Sequence, residues 1–211
     1  RLIFANWGLA TNSLGMIRRG RARLGLTFHG SDLSQLSSAP AALHTVVGAA
    51  DALLPVSEFL ARELCRLGLV NRSDPRIHIL PMPLGQLPQR TGTGSGLICV
   101  GRPTALKGFD RAQALADSLQ MALTLVGPSA SGTGLIPRSD VHAAMAKAAA
   151  CVLLPTTTDN GLGAEGLGLV LLEAAMQGVP VIGCATGGVE EAVGPGLIID
   201  PSSPDLDAVR A

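Results

Sequence analysis

Tyrosine is absent from this 211-residue sequence, and one Trp and four Phe supply all of its aromatic side chains, 2% of the chain. So few rings leave no stacking platform for the bases of a single strand. An excess of either charge is missing too. The 16 Lys and Arg are matched by 16 Asp and Glu, whereas a phosphate backbone is bound by a surplus of cations. Nucleic acid is therefore not expected as a partner. No apolar run reaches the roughly 18 residues that a membrane-spanning helix needs. The four cysteines, Cys65, Cys99, Cys151 and Cys184, form no C-x-x-C, and His29, His44, His78 and His142 show no metal-ligand spacing. Buried free thiols in a reducing cytoplasm are the expectation.

What is present is apolar and rhythmic. Hydrophobic residues make up 47% of the sequence, enough for one large core or two small ones. The runs "RLIFAN", "LGLTF", "ALLPV", "RIHIL", "GLICV", "ALTLV", "CVLLP", "VPVIG" and "GLIID" alternate with segments of helical character. Continuous apolar runs of this length suit strands buried on both faces, and their alternation with helices predicts a parallel α/β sheet. In "VSEFLARELCRLG", Ser57 is a good N-cap, Leu60, Leu64 and Leu67 make an i, i+4, i+7 stripe, and Gly68 suits the C′ position. The alanine-rich stretch from Val141 to Ala150 predicts a closely packed helix.

The polar, glycine-rich "GQLPQRTGTGSG" reads as a boundary. It predicts two α/β units: residues 1–86, a linker over 87–95, and residues 96–211. The opening at Arg1 and the close at "PDLDAVRA", where Pro204 and Asp205 look like the first turn of a helix, suggest an internal fragment. Arg18, Arg19, Arg21 and Arg23 form a basic cluster, and no acidic residue precedes Asp32. Such a cluster reads as a solvated helix end or as a patch that touches a membrane surface.

The chemistry-bearing stretch is "GLGAEGLGLVLLEAAMQGVPVIG", Gly161 to Gly183. It contains a G-x-G-x-x-G at Gly161, Gly163 and Gly166, the spelling of a dinucleotide turn. That turn needs its first glycine at a strand end and an acidic residue about 20 positions on. Here "TTTDN" separates the motif from the strand run "CVLLP", and the acidic residue is missing from a second strand end. The context argues against a nicotinamide cofactor. The carboxylates say more. Glu165 lies in the glycine-rich approach, and Glu173 follows inside the helix that "LGLVLLEAAM" predicts. Gly166 and Gly168 permit close backbone approach, and the helix start at Gly168 and Leu169 offers N–H groups to an anion. A phosphate there would have a carboxylate on each side to grip sugar hydroxyls. In "ICVGRPTALKGFD", Arg102 and Lys107 fall past a strand end, where a planar fork and a mobile point charge suit a diphosphate.

These segments resemble a known family. "GRPTALKGFD", "LTLVG", "AACVLLPTTTDNGLGAEGLGLVLLEAAMQGVPVIGCATGGVEEAV" and "GLIIDPSSPDLDA" are similar to the C-terminal domain of family 4 glycosyltransferases of the GT-B fold. "TFHGSDL" and "LLPVSEFLARELCRLG…RIHILPMPLG" resemble the second half of its N-terminal domain. The E-x7-E spacing from Glu165 to Glu173 is the family's signature. Leu167 stands where Phe is common and Glu190 where Pro is common. The resemblance implies an α/β fold of two Rossmann-like (GT-B) domains, both incomplete, the first lacking the family's N-terminal glycine-rich loop.

It also implies a retaining transferase that moves a sugar from a nucleotide-diphosphate donor to an acceptor hydroxyl, glycan or lipid-linked, with no cofactor and no metal. Glu173 would hold the ribose and Glu165 the hexose hydroxyls. Arg102 and Lys107 would neutralise the departing diphosphate. His29, beside Gly30, would face the reacting sugar from the other domain. Gly166, Gly168 and Leu169 would line the donor site. A cytoplasmic enzyme is expected, with a peripheral contact at the inner membrane face where the acceptor is a lipid. The alternatives are another GT-B nucleotide-sugar enzyme such as an epimerase, a non-catalytic nucleotide-sugar-binding module, and an NAD oxidoreductase.

Overall fold

The apolar runs become parallel strands, as segments with no polar face must when helices cover both sides of a sheet. The computed structural model describes residues 2–5, 22–31, 33, 40–80, 82–102, 104–128, 136–157 and 164–210. Three strands, β1 (Leu2–Ala5), β2 (Arg23–Phe28) and β3 (Ala52–Pro55), make a first parallel sheet in the order β1-β2-β3. Central β2 is buried from Leu24 to Phe28, and the Thr27 hydroxyl donates to the Ala5 carbonyl at 3.1 Å. Arg23, at its exposed start, is the one member of the basic cluster among the described residues; Arg18, Arg19 and Arg21 lie outside them.

The run "RIHIL" departs from expectation. It lies along β3, with Leu53 N donating to Arg76 O and His78 N to Leu53 O, but only as an isolated parallel bridge between Leu53 and Ile77. Leu80 N also donates to Pro55 O, but Pro55 has no N–H to return to the run, so the ladder is interrupted there. Among the described residues, helices α1 (Pro40–Ala49) and α2 (Glu58–Arg66) serve this sheet. Helix α2 starts and stops on its predicted signals. The Ser57 hydroxyl accepts from Leu60 N, Leu60 and Leu64 are buried, and Gly68 takes a φ of 69° just past the end.

Five strands make the second sheet: β4 (Leu97–Val100), β5 (Leu123–Val126), β6 (Ala150–Leu153), β7 (Val181–Gly183) and β8 (Leu197–Ile198). All pairs are parallel, in the order β5-β4-β6-β7-β8. The connecting helices are α3 (Phe109–Leu119), α4 (Arg138–Met145), α5 (Leu169–Met176), α6 (Val189–Val193) and α7 (Leu206–Arg210). Asp205 caps α7, its carboxylate accepting from the amides of Asp207 and Ala208 at 3.1 Å.

The alanine-rich helix is a correction. Helix α4 stops at Met145, and Ala150 already belongs to β6. Tertiary hydrogen bonds compete for this backbone: Ser95 N donates to Lys147 O and Ala149 N to Gly96 O. They draw the chain out of the helix and into the sheet.

Strand alternation divides the second sheet between two cores. Leu97 and Cys99 pack with Leu115, Val152 and Ile182 on one face. Ile98, Cys151 and Leu153 join a cluster on the other face that continues through Leu171 and Val189 to Leu26, Phe28, Leu53 and Leu60. That continuous core joins the two sheets. Residues 82–96 pass from one sheet to the other without helix or strand and are stitched to the second, with Arg90 N donating to Gln177 O at 2.8 Å. No helix among the described residues is long and apolar enough to cross a membrane.

The cysteines are free; Cys99, Cys151 and Cys184 are buried and Cys65 partly so. Burial pushes the Cys99 thiol up to about 12, with nearby Lys107 opposing, and drives Cys151 well above the ordinary thiol range. Both are packing residues in their protonated form.

The strand order matters most for function. Strand β5 lies on one side of β4 and every later strand on the other. Connections therefore diverge between β4 and β6, and a crevice opens beyond their carboxyl ends.

Candidate active site

Two short segments carry cations and carboxylates to that crevice. After β4, Gly101 N donates to Val126 O, Thr104 N turns back to Arg102 O, and Lys107 N bonds to Thr104 O. A single 3-10 turn, Ala105–Lys107, then ends at Gly108 with φ 66°. Arg102 is left exposed on the rim, while Lys107 is half-buried and reaches into the cleft.

The second segment enters α5. Gly166 is wedged against the first sheet's loop: a Cβ there would stand 2.4 Å from the His29 carbonyl oxygen and 3.3 Å from the Gly30 Cα. Only glycine permits that approach. Gly168 takes φ 87° and turns the chain into the helix, whose first residues, Leu169 and Val170, line the cleft. Glu165 therefore stands before this turn, and Glu173 stands on the helix one turn from its end.

The resulting cleft encloses about 370 Å³, within the usual range for a small-molecule site. His29, Arg102, Lys107, Glu165, Gly168, Leu169 and Glu173 line it, with Val56, Met82, Val100, Leu153 and Leu167 as apolar wall. A recess of about 240 Å³ beside it adds Ser31, Ala164 and Gly166. Gly30 backs Gly166. The structure thus brings His29, Arg102, Lys107, Glu165, Gly166, Gly168, Leu169 and Glu173 together, with Gly30 behind them. Gly161 and Gly163 of the G-x-G-x-x-G lie outside the described residues.

Each carboxylate is mostly buried and faces a cation. Glu165 is 15% exposed and accepts from the Lys107 ammonium; Glu173 is 14% exposed and accepts from the Arg138 guanidinium. On the other Glu173 oxygen, the ring Nε2 of His142 approaches to 3.8 Å and has no hydrogen-bond partner. Sequence reasoning missed Arg138 and His142. They are spaced i, i+4 on α4 and so share a face, but nothing local names a partner 35 residues away. Val56 and Met82, on the first sheet's side, were missed for the same reason.

Among the described residues no group of three or more His, Cys, Asp and Glu could hold a metal ion. The sequence does contain one D-x-D triplet, Asp205-Leu206-Asp207, a spelling often associated with metal-bound diphosphates. Asp205 spends its carboxylate on capping α7, and the triplet is not among the residues lining the cleft.

Residues 125–208 match the family model described as glycosyl transferases group 1. A GDP-mannose-dependent monoacylated alpha-(1-6)-phosphatidylinositol monomannoside mannosyltransferase of Corynebacterium glutamicum is 36% identical over 90 residues, 42% of this chain and 24% of that protein. Among solved structures, sucrose-phosphate synthase from Thermosynechococcus elongatus superposes with a TM-score of 0.73 at 19% identity, over 99% of this chain and 62% of that one. HepE of Anabaena, in complex with UDP and glucose, gives 0.71 at 16% identity, over 99% of this chain and 66% of its own. The chain thus spans under two thirds of the length of these relatives. The structural likenesses show the fold, the paired Rossmann-like α/β units of GT-B proteins.

Proposed function

We propose that the chain is a glycosyl transferase of the group 1 kind, whose family model residues 125–208 match, and that the cleft binds a nucleotide-diphosphate sugar and transfers its sugar to an acceptor hydroxyl. One observation carries the reading. Two cations and two mostly buried carboxylates line a single cleft at the divergence of β4 and β6. Phosphates need the cations, and sugar hydroxyls need the acceptors.

In this reading Glu173 accepts from the ribose hydroxyls and Glu165 from those of the transferred hexose. The first turn of α5, at Gly168 and Leu169, takes a phosphate oxygen on its N–H groups. Arg102 and Lys107 offset the charge that grows on the diphosphate as the anomeric C–O bond breaks, the part a metal plays in other transferases. His29 faces the reacting sugar from the first sheet's side. Transfer proceeds with retention of anomeric configuration and without a metal cofactor, so chelators leave turnover unchanged. The acceptor is a glycan or a lipid-linked sugar, as the phosphatidylinositol mannoside in the relative's name suggests. A lipid acceptor brings the protein to the inner face of a membrane from the cytoplasm. Residues 1–86 form the acceptor-side domain, 87–95 the linker and 96–211 the donor domain.

Calorimetry of the whole protein against UDP, GDP, ADP and NAD tests this directly. Binding of one nucleoside diphosphate, without NAD binding, is the expected result. NAD binding with no affinity for any nucleoside diphosphate would overturn it.

A further inference from the structure

Glu191 does work at the junction of the two sheets that the proposed chemistry does not use. It stands on α6, yet its carboxylate reaches the other unit and accepts from the first amides of α2, Glu58 N at 2.7 Å and Phe59 N at 2.6 Å. A carboxylate bonded to two N–H groups at a helix start satisfies orphan donors and meets the positive end of the dipole. Arg62 of the same helix approaches it to 3.8 Å.

One residue before that helix, fully buried Ser57 makes two bonds. Its oxygen accepts from Leu60 N within α2, and its proton goes to the Gly166 carbonyl at 2.6 Å. Gly166 directly follows Glu165. The far side of the same loop is held by the segment that leads into α6, with Gly188 N donating to Glu165 O at 2.8 Å. The packing is so close that a Cβ on Gly187 would sit 2.2 Å from Glu165 O, and one on Gly188 would sit 2.2 Å from Gly166 O. The Glu165 loop is thus clasped between the α2 entrance and the α6 entrance, and Glu191 ties these two entrances together.

We propose that Glu191 and Ser57 are positioning residues, an inter-unit latch that docks the start of α2 on the Glu165–Gly166 loop and thereby fixes the Glu165 carboxylate for the donor sugar. The role of Glu165 rests on the function proposed above; the latch itself does not. Opening the two units separates Glu191 from Glu58 and Phe59 and frees the Gly166 carbonyl, so the sugar site is complete only in the docked arrangement. Glu173 and its helix belong wholly to the second unit and do not depend on the latch.

Hydrogen exchange on the whole protein, comparing wild type with Glu191→Ala and Glu191→Gln, tests the latch without any ligand. In Glu191→Ala, amides over 57–62 and over 164–168 should both lose protection, by about fivefold, the size of a lost helix cap. Glu191→Gln keeps one acceptor oxygen and should recover part of it. Loss confined to 57–62 would reduce Glu191 to a local cap and overturn the proposal, as would unchanged protection in both segments. A second measurement reads the consequence for ligands. UDP and GDP affinities should be the same in Glu191→Ala and wild type, while affinity for the matching nucleotide sugars should fall by about fivefold. An equal fall for nucleotide and nucleotide sugar would indicate a general structural role and contradict positioning. Failure of the wild-type protein to bind any nucleotide would count against the proposed function and leave the exchange result to decide the latch.

Discussion

The two carboxylate stations of the cleft look alike and are built differently. Glu165 and Glu173 have nearly equal exposure, and each faces a cation. Glu173 sits on α5, between β6 and β7, so the second sheet alone sets its position. Glu165 sits in a loop whose backbone touches the first sheet's His29 and Gly30 and takes a hydrogen bond from Ser57. One station is a property of a helix; the other is a property of a docking. Under the proposed function, that difference would separate nucleotide recognition from sugar recognition and make them independently breakable.

The largest expected effect is on the leaving group. Lys107→Ala and Arg102→Ala should each lower turnover by about 100-fold or more, as expected when a donor aimed at developing charge is removed. Losses under about tenfold for both would break the diphosphate assignment. Lys107→Ala also frees the Glu165 carboxylate of its present partner, so it should disturb the sugar station more than the ribose station.

Gly166→Ala probes the docking itself. Its Cβ has no space against the His29 carbonyl, and the clash is with backbone, which cannot turn aside. Overpacking of this kind costs about 1–3 kcal/mol, and here it should also raise the KM for nucleotide sugar while leaving nucleoside diphosphate affinity in place. A variant with wild-type melting temperature and wild-type KM would show that the close approach is dispensable.

Much of the cleft's lining was legible in the sequence, because its parts are local. The order of Arg102, Lys107, Glu165 and Glu173 along the chain, each just past a strand run or inside a helix, already fixes a common edge of a parallel sheet. Ser57 and Gly68 marked α2 by cap chemistry alone. The remainder is tertiary. Nothing near Arg138 or His142 points to Glu173, and nothing near Glu191 points to the amides of Glu58 and Phe59, more than 130 residues away in sequence. The run "RIHIL" and the end of α4 differ from expectation because Pro55 on the strand facing the first, and inter-segment hydrogen bonds in the second, outweighed a favourable pattern.

Smaller effects sharpen the contrast. Arg138 is 70% exposed where it meets Glu173, so the cation keeps most of its water and Arg138→Ala should change stability by only about 0–1 kcal/mol. Its effect on nucleotide affinity should stay well below that of Glu173→Ala. A larger effect on affinity than Glu173→Ala would promote Arg138 from neighbour to ligand-binding residue.

The smallest expected effect lies away from the cleft. The side chain and backbone N–H of Arg76 bond the Asp74 carboxylate and hold its pKa below the ordinary value. Arg76 in turn donates to Val47 O and Ala50 O at the end of α1. A carboxylate with a depressed folded pKa contributes stability that is present above its unfolded pKa of about 3.9 and is lost as pH falls through the folded value. Asp74→Asn should therefore be less stable than wild type near pH 6, by about 1 kcal/mol for a part-buried pair at the surface. The gap should narrow as pH falls below the unfolded pKa and through the folded one. A gap that widens on acidification would reverse the sign of this account.

The division between the two stations has one direct measurement: calorimetric titration of a nucleoside diphosphate and of its sugar conjugate into wild type, Glu173→Ala and Glu165→Ala. Loss of a charged acceptor for a ribose should cost Glu173→Ala about 1.5–3 kcal/mol toward both ligands. Glu165→Ala should bind the bare nucleotide as wild type does and lose only the added affinity for the sugar. Unchanged nucleoside diphosphate affinity in Glu173→Ala, or an equal loss of both ligands in Glu165→Ala, would contradict the assignment of nucleotide to the helix and sugar to the docked loop.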